Sequence, residues 1–89
     1  MWFSYLLRCA DNTIYAGMTN DLEKRVVAHN AGKGGAYTRS RRPVRLIFFQ
    51  RHRTQSKAMR TEATFKNLSR IQKEAMVLTW TAKNTDDTR

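Results

Sequence analysis

The chain has 89 residues and a formal net charge of +10, with 17 Lys and Arg against 7 Asp and Glu. This length leaves room for one small core, which excludes a second domain or a deep active site. The single cysteine, Cys9, excludes an internal disulfide and favours a reducing, cytoplasmic setting, and no apolar run reaches the roughly 18 residues of a membrane span.

The first third of the chain predicts a β-hairpin followed by a helix. Alternating aromatic and aliphatic residues over 2–8 and a β-rich run over 13–18 favour two strands joined by a short turn. A capping box that begins with Asn20 predicts a helix that extends to about Ala31, where Gly32 ends it.

The next part of the chain predicts a loop, a third strand and a second helix. Segment 32–43 is basic and holds three of the four glycines, so we expect a flexible loop. A third strand over 44–50 follows, and then a helix over about 55–67 that is capped by Thr54 or Ser56.

A second capping box, which begins at Ser69, starts the last helix. Its apolar spacing predicts a buried stripe formed by Ile71, Ala75 and Leu78. The resulting order, ββαβαα, predicts an α+β domain over residues 1–82 with a small, mainly antiparallel sheet. The polar residues 83–89 predict a flexible C-terminal tail.

The positive charge is concentrated in one part of the sequence, because no carboxylate lies between Glu23 and Glu62. That interval carries eleven cations: Lys24, Arg25, Lys33, Arg39, Arg41, Arg42, Arg45, Arg51, Arg53, Lys57 and Arg60. This concentration of positive charge favours a polyanionic partner and above all nucleic acid, because arginine guanidinium groups can bind a phosphate through two hydrogen bonds. A solvated basic face and an acidic protein partner are the alternatives. A membrane surface is disfavoured, because no predicted helix joins an apolar face to a basic one.

Glu62 is the carboxylate whose predicted position is least compatible with full exposure to solvent. Helical spacing places it four residues after Ala58 and three before Phe65, beside the predicted apolar face. A carboxylate in such a place costs free energy unless it is paired or binds a cation. The sequence leaves open an ion pair with Arg25 or Arg60 and a metal-binding role.

Two tyrosines, an arginine and a histidine complete the set of candidate residues. Tyr5 and Tyr15 lie on the two strands of the predicted hairpin, where they could approach across the ladder or simply pack as strand aromatics. Arg25 and His29 are four residues apart on the next helix and therefore share a face. His29 could be a surface residue, a hydrogen-bond donor or a proton acceptor.

In combination, these residues resemble the GIY-YIG nuclease family. The matching positions are Tyr5, Tyr15-Ala16-Gly17, Arg25, His29 and Glu62. The resemblance covers residues 2 to about 80 and is greatest with the small stand-alone bacterial members that have a single domain. It implies a three-stranded antiparallel sheet flanked by helices, which agrees with the predicted order of elements.

The resemblance implies a divalent-metal-dependent endonuclease that hydrolyses DNA phosphodiester bonds, with selectivity for DNA structure. Glu62 would bind one Mg²⁺ or Mn²⁺, and Arg25 would stabilise charge on the scissile phosphate. Tyr5, Tyr15 and His29 would position the attacking water or take its proton. The alternative is a nucleic-acid-binding module on the same fold, with weak or absent catalysis.

Three features depart from the family pattern. Phe3-Ser4-Tyr5 stands where Gly-Ile-Tyr is usual, although the second motif keeps its glycine, Gly17. Met18 follows that glycine where many nucleases carry lysine, and Asn67 is not a clear match for the family's downstream asparagine. The missing lysine favours the binding module.

The basic loop and the strand after it supply the predicted nucleic-acid contacts. The candidate phosphate ligands are Lys33, Arg39, Arg41, Arg42 and Arg45. Tyr37 could stack on an exposed base or fold onto the core. DNA is preferred to RNA only through the resemblance, and we expect a monomer without a disulfide partner.

Overall fold

Three strands and four helices form the part of the chain that the computed structural model describes, residues 1–85. In chain order they are β1 (Trp2–Arg8), β2 (Ile14–Thr19), α1 (Leu22–Asn30), α2 (Ala36–Arg39), β3 (Arg45–His52), α3 (Gln55–Asn67) and α4 (Arg70–Thr85). Helix α4 continues to Thr85, and residues 86–89 of the predicted tail 83–89 lie outside the described part. Within residues 1–85, no helix has the length and apolar character of a membrane span.

The strands form one antiparallel sheet in the order β2–β1–β3, so that β1 is central. Tyr5 of β1 pairs with Gly17 of β2 on one side and with Phe49 of β3 on the other. The β1–β3 ladder shifts register between Leu6 and Leu7. The predicted three-stranded antiparallel sheet and the α+β class are confirmed.

Side chains of the central strand alternate between two cores, one on each face of the sheet. Leu6 belongs to the core that α3 and α4 cover, together with Phe65 and Val77. Tyr5 and Leu7 belong to the opposite core, which α1 covers. The alternation therefore decides that Tyr5 faces α1, the helix that supplies Arg25 and His29 to the candidate site.

Helix α4 buries a different face from the one that the spacing predicted. Ile71 and Leu78 are 81% and 71% exposed, and Ala75 is exposed as well. Val77 packs in the core instead, and Trp80 lies against two phenylalanine rings of β3, with centroids 5.8 and 5.4 Å away. Both stripes of the helix are apolar, so spacing could not decide between them. The large area of the indole favours the stripe that contains it.

Short polar side chains cap the three long helices. Asp21, rather than the predicted Asn20, caps α1 by accepting a backbone hydrogen bond at 3.1 Å. Thr54 caps α3 in the same way at 3.2 Å. Ser69 and Gln72 form a reciprocal capping box at the start of α4, with hydrogen bonds of 3.2 and 2.9 Å. These local signals explain why the starts of α3 and α4 were predicted correctly.

Segment 32–43 is more structured than the flexible loop that its glycines predicted. It contains the four-residue helix α2, which brings Thr38 into the interior with 1% exposure. At the end of the segment, the side-chain amide of Asn30 bonds both backbone groups of Val44, at 2.7 and 2.9 Å. Gly32 and Gly35 adopt positive φ values of 82° and 128°, which glycine alone tolerates readily. A helix of four residues has no apolar periodicity, so composition could not predict it.

An ion pair ties helix α4 to the central strand. Arg8 of β1 donates to both carboxylate oxygens of Glu74, at 2.7 and 2.8 Å, and Arg70 adds a longer contact of 3.3 Å. The hydrogen bonds from Arg8 are the main cause that lowers the pKa of Glu74 to about 2. This pair helps to hold α4 on the face of the sheet opposite Tyr5.

Candidate functional site

The site begins with the close approach of Tyr5 to Gly17. The two residues are direct partners in the β1–β2 ladder, and a Cβ atom at position 17 would overlap the Tyr5 hydroxyl. Because glycine has no side chain, the phenol ring can lie across β2. Tyr15 pairs with Leu7, which places it diagonally from Tyr5 on the same face.

His29 of α1 lies at the centre of the site, with no exposed surface. Its Nε2 is 3.0 Å from the hydroxyl of Tyr5, and its Nδ1 is 2.7 Å from the hydroxyl of Thr38. The imidazole also packs against Gly34, where a Cβ atom would overlap the ring. His29 is therefore an interior residue, and both of its nitrogens have hydrogen-bond partners.

Arg25 lies one turn before His29 on α1, and its side chain is partly buried. One terminal nitrogen, Nη2, donates to the carbonyl of Gly34 at 3.3 Å. Its Nε is buried and, among the residues that the structure describes, has no hydrogen-bond partner. A buried guanidinium nitrogen without an acceptor is costly unless a ligand supplies one. Arg25 therefore has one buried donor that the described part of the fold leaves unused.

The buried surroundings shift the pKa values of Tyr5 and His29 in opposite directions. Burial raises the pKa of Tyr5 above its usual 10.0; the Arg25 guanidinium opposes this shift, whereas Tyr15 and Glu62 add to it. Burial, and then the charge of Arg25, lower the pKa of His29 below 6.5. At neutral pH the site thus holds a protonated phenol, which can donate, beside a neutral imidazole, which can accept.

Glu62 of α3 lies within electrostatic reach of Tyr5, since it contributes to the raised pKa of that phenol. Its side chain is 20% exposed, as the helical spacing predicted. Of the described residues, only Lys66 forms an ion pair with it, at a long 3.8 Å. The alternative of an ion pair with Arg25 or Arg60 is therefore wrong for this structure.

The donor set around Glu62 limits what kind of cation it could hold. No group of three or more His, Cys, Asp or Glu side chains that could ligate a metal exists within the described residues. One half-buried carboxylate cannot form a zinc-type cage. It does fit Mg²⁺ or Mn²⁺, which bind through one or two carboxylates and fill their remaining positions with water and phosphate oxygens.

Tyr15 and Tyr37 form an aromatic wall beside the site. Tyr15 meets the imidazole of His29 edge to face, with centroids 5.4 Å apart, and stacks on Tyr37 at 5.6 Å. The guanidinium of Arg41 lies 4.0 Å from the centroid of Tyr37 and also pairs with Asp11 at 3.0 Å. Tyr37 is 40% exposed, so its ring joins the site to the basic surface.

The predicted phosphate ligands differ in whether their side chains already form hydrogen bonds or ion pairs with other residues. Arg42 donates from Nε to the carbonyl of Arg39 at 2.8 Å, and Arg39 donates to the carbonyl of Gly32 at 3.3 Å. Lys33 and Arg45 are exposed, and neither forms an ion pair with another residue of the described chain. Bonds to carbonyls do not neutralise Arg39 and Arg42, so every predicted phosphate ligand except Arg41, which pairs with Asp11, carries charge that the described part of the fold leaves unpaired.

The structure adds to the site two residues to which the sequence analysis gave no site role, Thr38 and Gly34. Both are buried and both contact the imidazole of His29. Thr38 stands in a run of basic and polar residues whose pattern is that of a loop. No local signal distinguishes it there from a solvated threonine.

The chain is similar in sequence to a family of known domains and to several known proteins. The sequence model of the GIY-YIG catalytic domain matches residues 1–76. Over 75 residues the chain is 52% identical to the UPF0213 protein YazA of Bacillus subtilis, an alignment that covers 84% of this chain and 76% of that protein. Over 76 residues it is 46% identical to the UPF0213 protein lmo0166 of Listeria monocytogenes, covering 85% of this chain and 84% of the relative.

Two solution NMR structures are similar in fold. The UPF0213 protein BH0048 of Bacillus halodurans has a TM-score of 0.57 at 40% identity, over 89% of this chain and 85% of its own. Protein EF2693 of E. faecalis has a TM-score of 0.58 at 39% identity, over 90% of this chain and 85% of its own. Sequence and fold therefore lead to the same group of small proteins.

Proposed function

This chain belongs to the GIY-YIG family, and from that membership we propose that it is a divalent-metal-dependent endonuclease that hydrolyses DNA phosphodiester bonds. The observation that best supports this proposal is the unpaired Nε of Arg25. The side chain lies next to a buried pair of groups that can exchange a proton, Tyr5 and His29. The activity is assigned to a single domain, residues 1–82, that acts as a monomer.

Arg25 is the residue that would bind the scissile phosphate. Its Nη2 is held by the carbonyl of Gly34, while its Nε lacks an acceptor within the described chain. A phosphate oxygen would supply that acceptor through a charge-assisted hydrogen bond. As negative charge accumulates on the phosphate oxygens in the transition state, the same contact strengthens and lowers the barrier.

Glu62 is the residue that would hold the metal ion. Its long contact with Lys66 is weak enough for a cation to replace it. A bound Mg²⁺ or Mn²⁺ would neutralise charge on the phosphate oxygens and help to place the substrate. The protein's part is to present one carboxylate, half-buried on α3, within electrostatic reach of Tyr5.

Tyr5 and His29 form the unit that would take the proton of the attacking water. The phenol alone cannot act as the base because its raised pKa keeps it protonated at neutral pH, whereas the imidazole 3.0 Å away is neutral, since its pKa is lowered, and has a lone pair that accepts a proton. Tyr15, whose ring meets His29 edge to face, would help to position the water. This assignment chooses the Tyr5–His29 pair among the three groups that the sequence left open.

The basic surface beside the site would bind the nucleic-acid backbone. The cations assigned to it are Lys33, Arg39, Arg41, Arg42 and Arg45. Their attraction for phosphates is independent of base sequence, which favours recognition of DNA shape, such as a flap or branch. Tyr37, which is 40% exposed and stacks on Tyr15, would contact a base at the cleavage point.

The experiment that tests the proposal incubates the purified protein with labelled single-stranded, duplex, flap and branched DNA. Each substrate is given Mg²⁺, Mn²⁺ or EDTA, and Glu62→Gln protein is run in parallel. Cleavage that needs metal and that the variant lacks would support the proposal and would identify the preferred DNA structure. No cleavage of any substrate with either metal would contradict it.

The second candidate function, a binding module without efficient cleavage, is favoured by one observation. Met18 follows Gly17, so the chain has no cation directly after the second motif. Met18→Lys distinguishes the two functions. A large gain of cleavage in that variant, from a wild type that only binds, would favour the binding module for the natural chain.

A further inference from the structure

We propose that Thr38 is a positioning residue that keeps the proton of His29 on Nδ1, so that Nε2 is free to accept the proton of Tyr5. The catalytic consequence rests on the proposed nuclease function. The tautomer itself does not, and it can be measured in the protein without substrate.

The inference begins with a continuous line of three buried side chains. Tyr5, His29 and Thr38 have 1%, 0% and 1% of their surface exposed. The two hydrogen bonds that join them are 3.0 and 2.7 Å long. In the substrate-free protein these groups have almost no exposed surface, so the single N–H and the single lone pair of the neutral imidazole have to satisfy one contact each.

The donors around Tyr5 decide which nitrogen of His29 carries the hydrogen. A neutral imidazole has one N–H donor and one acceptor nitrogen. Arg25, beside the phenol, can only donate, so Tyr5 needs His29 as the acceptor for its own O–H. If Nε2 carried the hydrogen, His29 could not accept from the phenol, and no other acceptor side chain of the described residues lies within hydrogen-bond distance of the Tyr5 hydroxyl. Nε2 is therefore the acceptor, and Nδ1–H donates to the hydroxyl of Thr38.

Thr38 keeps this role throughout the proton transfer. The attacking water gives a proton to the oxygen of Tyr5, while the original phenol proton passes to Nε2 of His29. The water oxygen then bonds to phosphorus, the phosphorus–oxygen bond to the leaving strand breaks, and that oxygen takes a proton from solvent. Afterwards the imidazolium returns its proton through Tyr5 to water. Nδ1–H is present in both charge states, so its bond to Thr38 is never lost.

The local fold explains how Thr38 reaches a histidine nine residues away. Gly34 lets the chain pass directly against the imidazole, because any side chain there would overlap the ring. Helix α2 starts two residues later and turns Thr38 inward. The short helix thus delivers one hydroxyl group to Nδ1.

The direct test is the tautomer of His29, measured by long-range ¹H–¹⁵N NMR of the substrate-free protein at neutral pH. Thr38→Val removes the hydroxyl at nearly constant volume, and Thr38→Ser keeps it. His52, the other histidine of the chain, serves as the internal control. We expect Nδ1–H in the wild type and in Thr38→Ser, and a shift toward Nε2–H in Thr38→Val. An Nε2–H tautomer in the wild type overturns the proposal, even if Thr38→Val does not fold.

The second readout is cleavage of the DNA structure that the wild type cuts best. Thr38→Val should lower kcat by about 10-fold or more with little change in KM, because only the proton-transfer step loses its orientation. Thr38→Ser should retain most of the wild-type kcat. Equal kcat values in all three proteins would overturn the catalytic role. If the wild type cuts no DNA, the nuclease proposal fails while the NMR result still stands.

Discussion

Tyr5 and Gly17 face each other across β1 and β2, and the Tyr5 hydroxyl occupies the space that a side chain at position 17 would fill. The contact explains why this strand position requires glycine. Only with that space open can the phenol lie across β2 and reach Nε2 of His29 at 3.0 Å. A backbone feature of the hairpin therefore controls the geometry of the proton-transfer pair.

Gly17→Ala should disturb this pair and lower both stability and cleavage. A methyl group would overlap the Tyr5 hydroxyl, so the ring has to move, at a cost of roughly 1–3 kcal/mol in unfolding free energy. Chemical denaturation and cleavage assays measure the two effects. In a Tyr5→Leu background, which lacks both the overlapping hydroxyl and the overlapping ring carbons, the same substitution should cost less. Equal costs in both backgrounds would show that the phenol is not what Gly17 accommodates.

Glu62→Ala should abolish metal-dependent cleavage while DNA affinity stays nearly unchanged or rises slightly. The substitution removes the proposed metal ligand together with one negative charge in a basic protein. Gel-based cleavage and fluorescence-anisotropy binding are the measurements. Glu23→Ala, an exposed carboxylate in the first turn of α1, is the matched control and should cleave normally. A Glu62→Ala protein that cuts at the wild-type rate would disprove the metal assignment.

Lys33→Ala should weaken DNA binding and lessen the slope of log K against log salt by about one unit. Lys33 is exposed, and within the described chain no carboxylate neutralises it. Lys83→Ala on α4, which covers the opposite face of the sheet, is the charge-matched control. The slope follows from affinities measured at several salt concentrations. If the two variants change the slope equally, Lys33 makes no specific phosphate contact.

Glu74→Gln should remove an acid-dependent part of the protein's stability. The folded pKa of Glu74 is about 2, against 4.5 for the unconstrained group. A lowered pKa stabilises the fold fully above pH 4.5, and that contribution disappears as the pH falls toward 2. Urea unfolding from pH 7 to pH 2 should therefore show wild type and variant converging at low pH. A difference that stays constant over this range would mean that Arg8 does not shift Glu74.

His29 should impose its own pH dependence on both stability and cleavage. Its folded pKa lies below 6.5, so protonation favours the unfolded chain, and stability should fall as the pH drops from 6.5 through the folded pKa. The cleavage rate should rise with pH over the same interval, because only the neutral imidazole accepts the phenol proton. NMR titration of the His29 ring beside rate measurements checks both. A folded pKa above 6.5 would contradict this account.

Much of the fold could be predicted because its signals are local in sequence. The alternation over β1 and the caps at Thr54 and Ser69 each act within a few residues, so they can be read without knowing the partner elements. Helical spacing likewise placed Glu62 beside the apolar face of α3, where the structure has it half-buried. Family resemblance grouped Glu62 with Tyr5 and His29.

The sequence by itself thus determined the order of the main elements, the antiparallel sheet and the candidate side chains. Only the tertiary structure decided which stripe of α4 is buried and that the Nε of Arg25 is unpaired. It also decided that Thr38 bonds the His29 ring nitrogen opposite the one that bonds Tyr5. These outcomes depend on which surfaces meet when distant elements pack. Two apolar stripes are equivalent along an isolated helix, and a threonine in a basic loop becomes a histidine partner only when the fold brings their atoms within 2.7 Å.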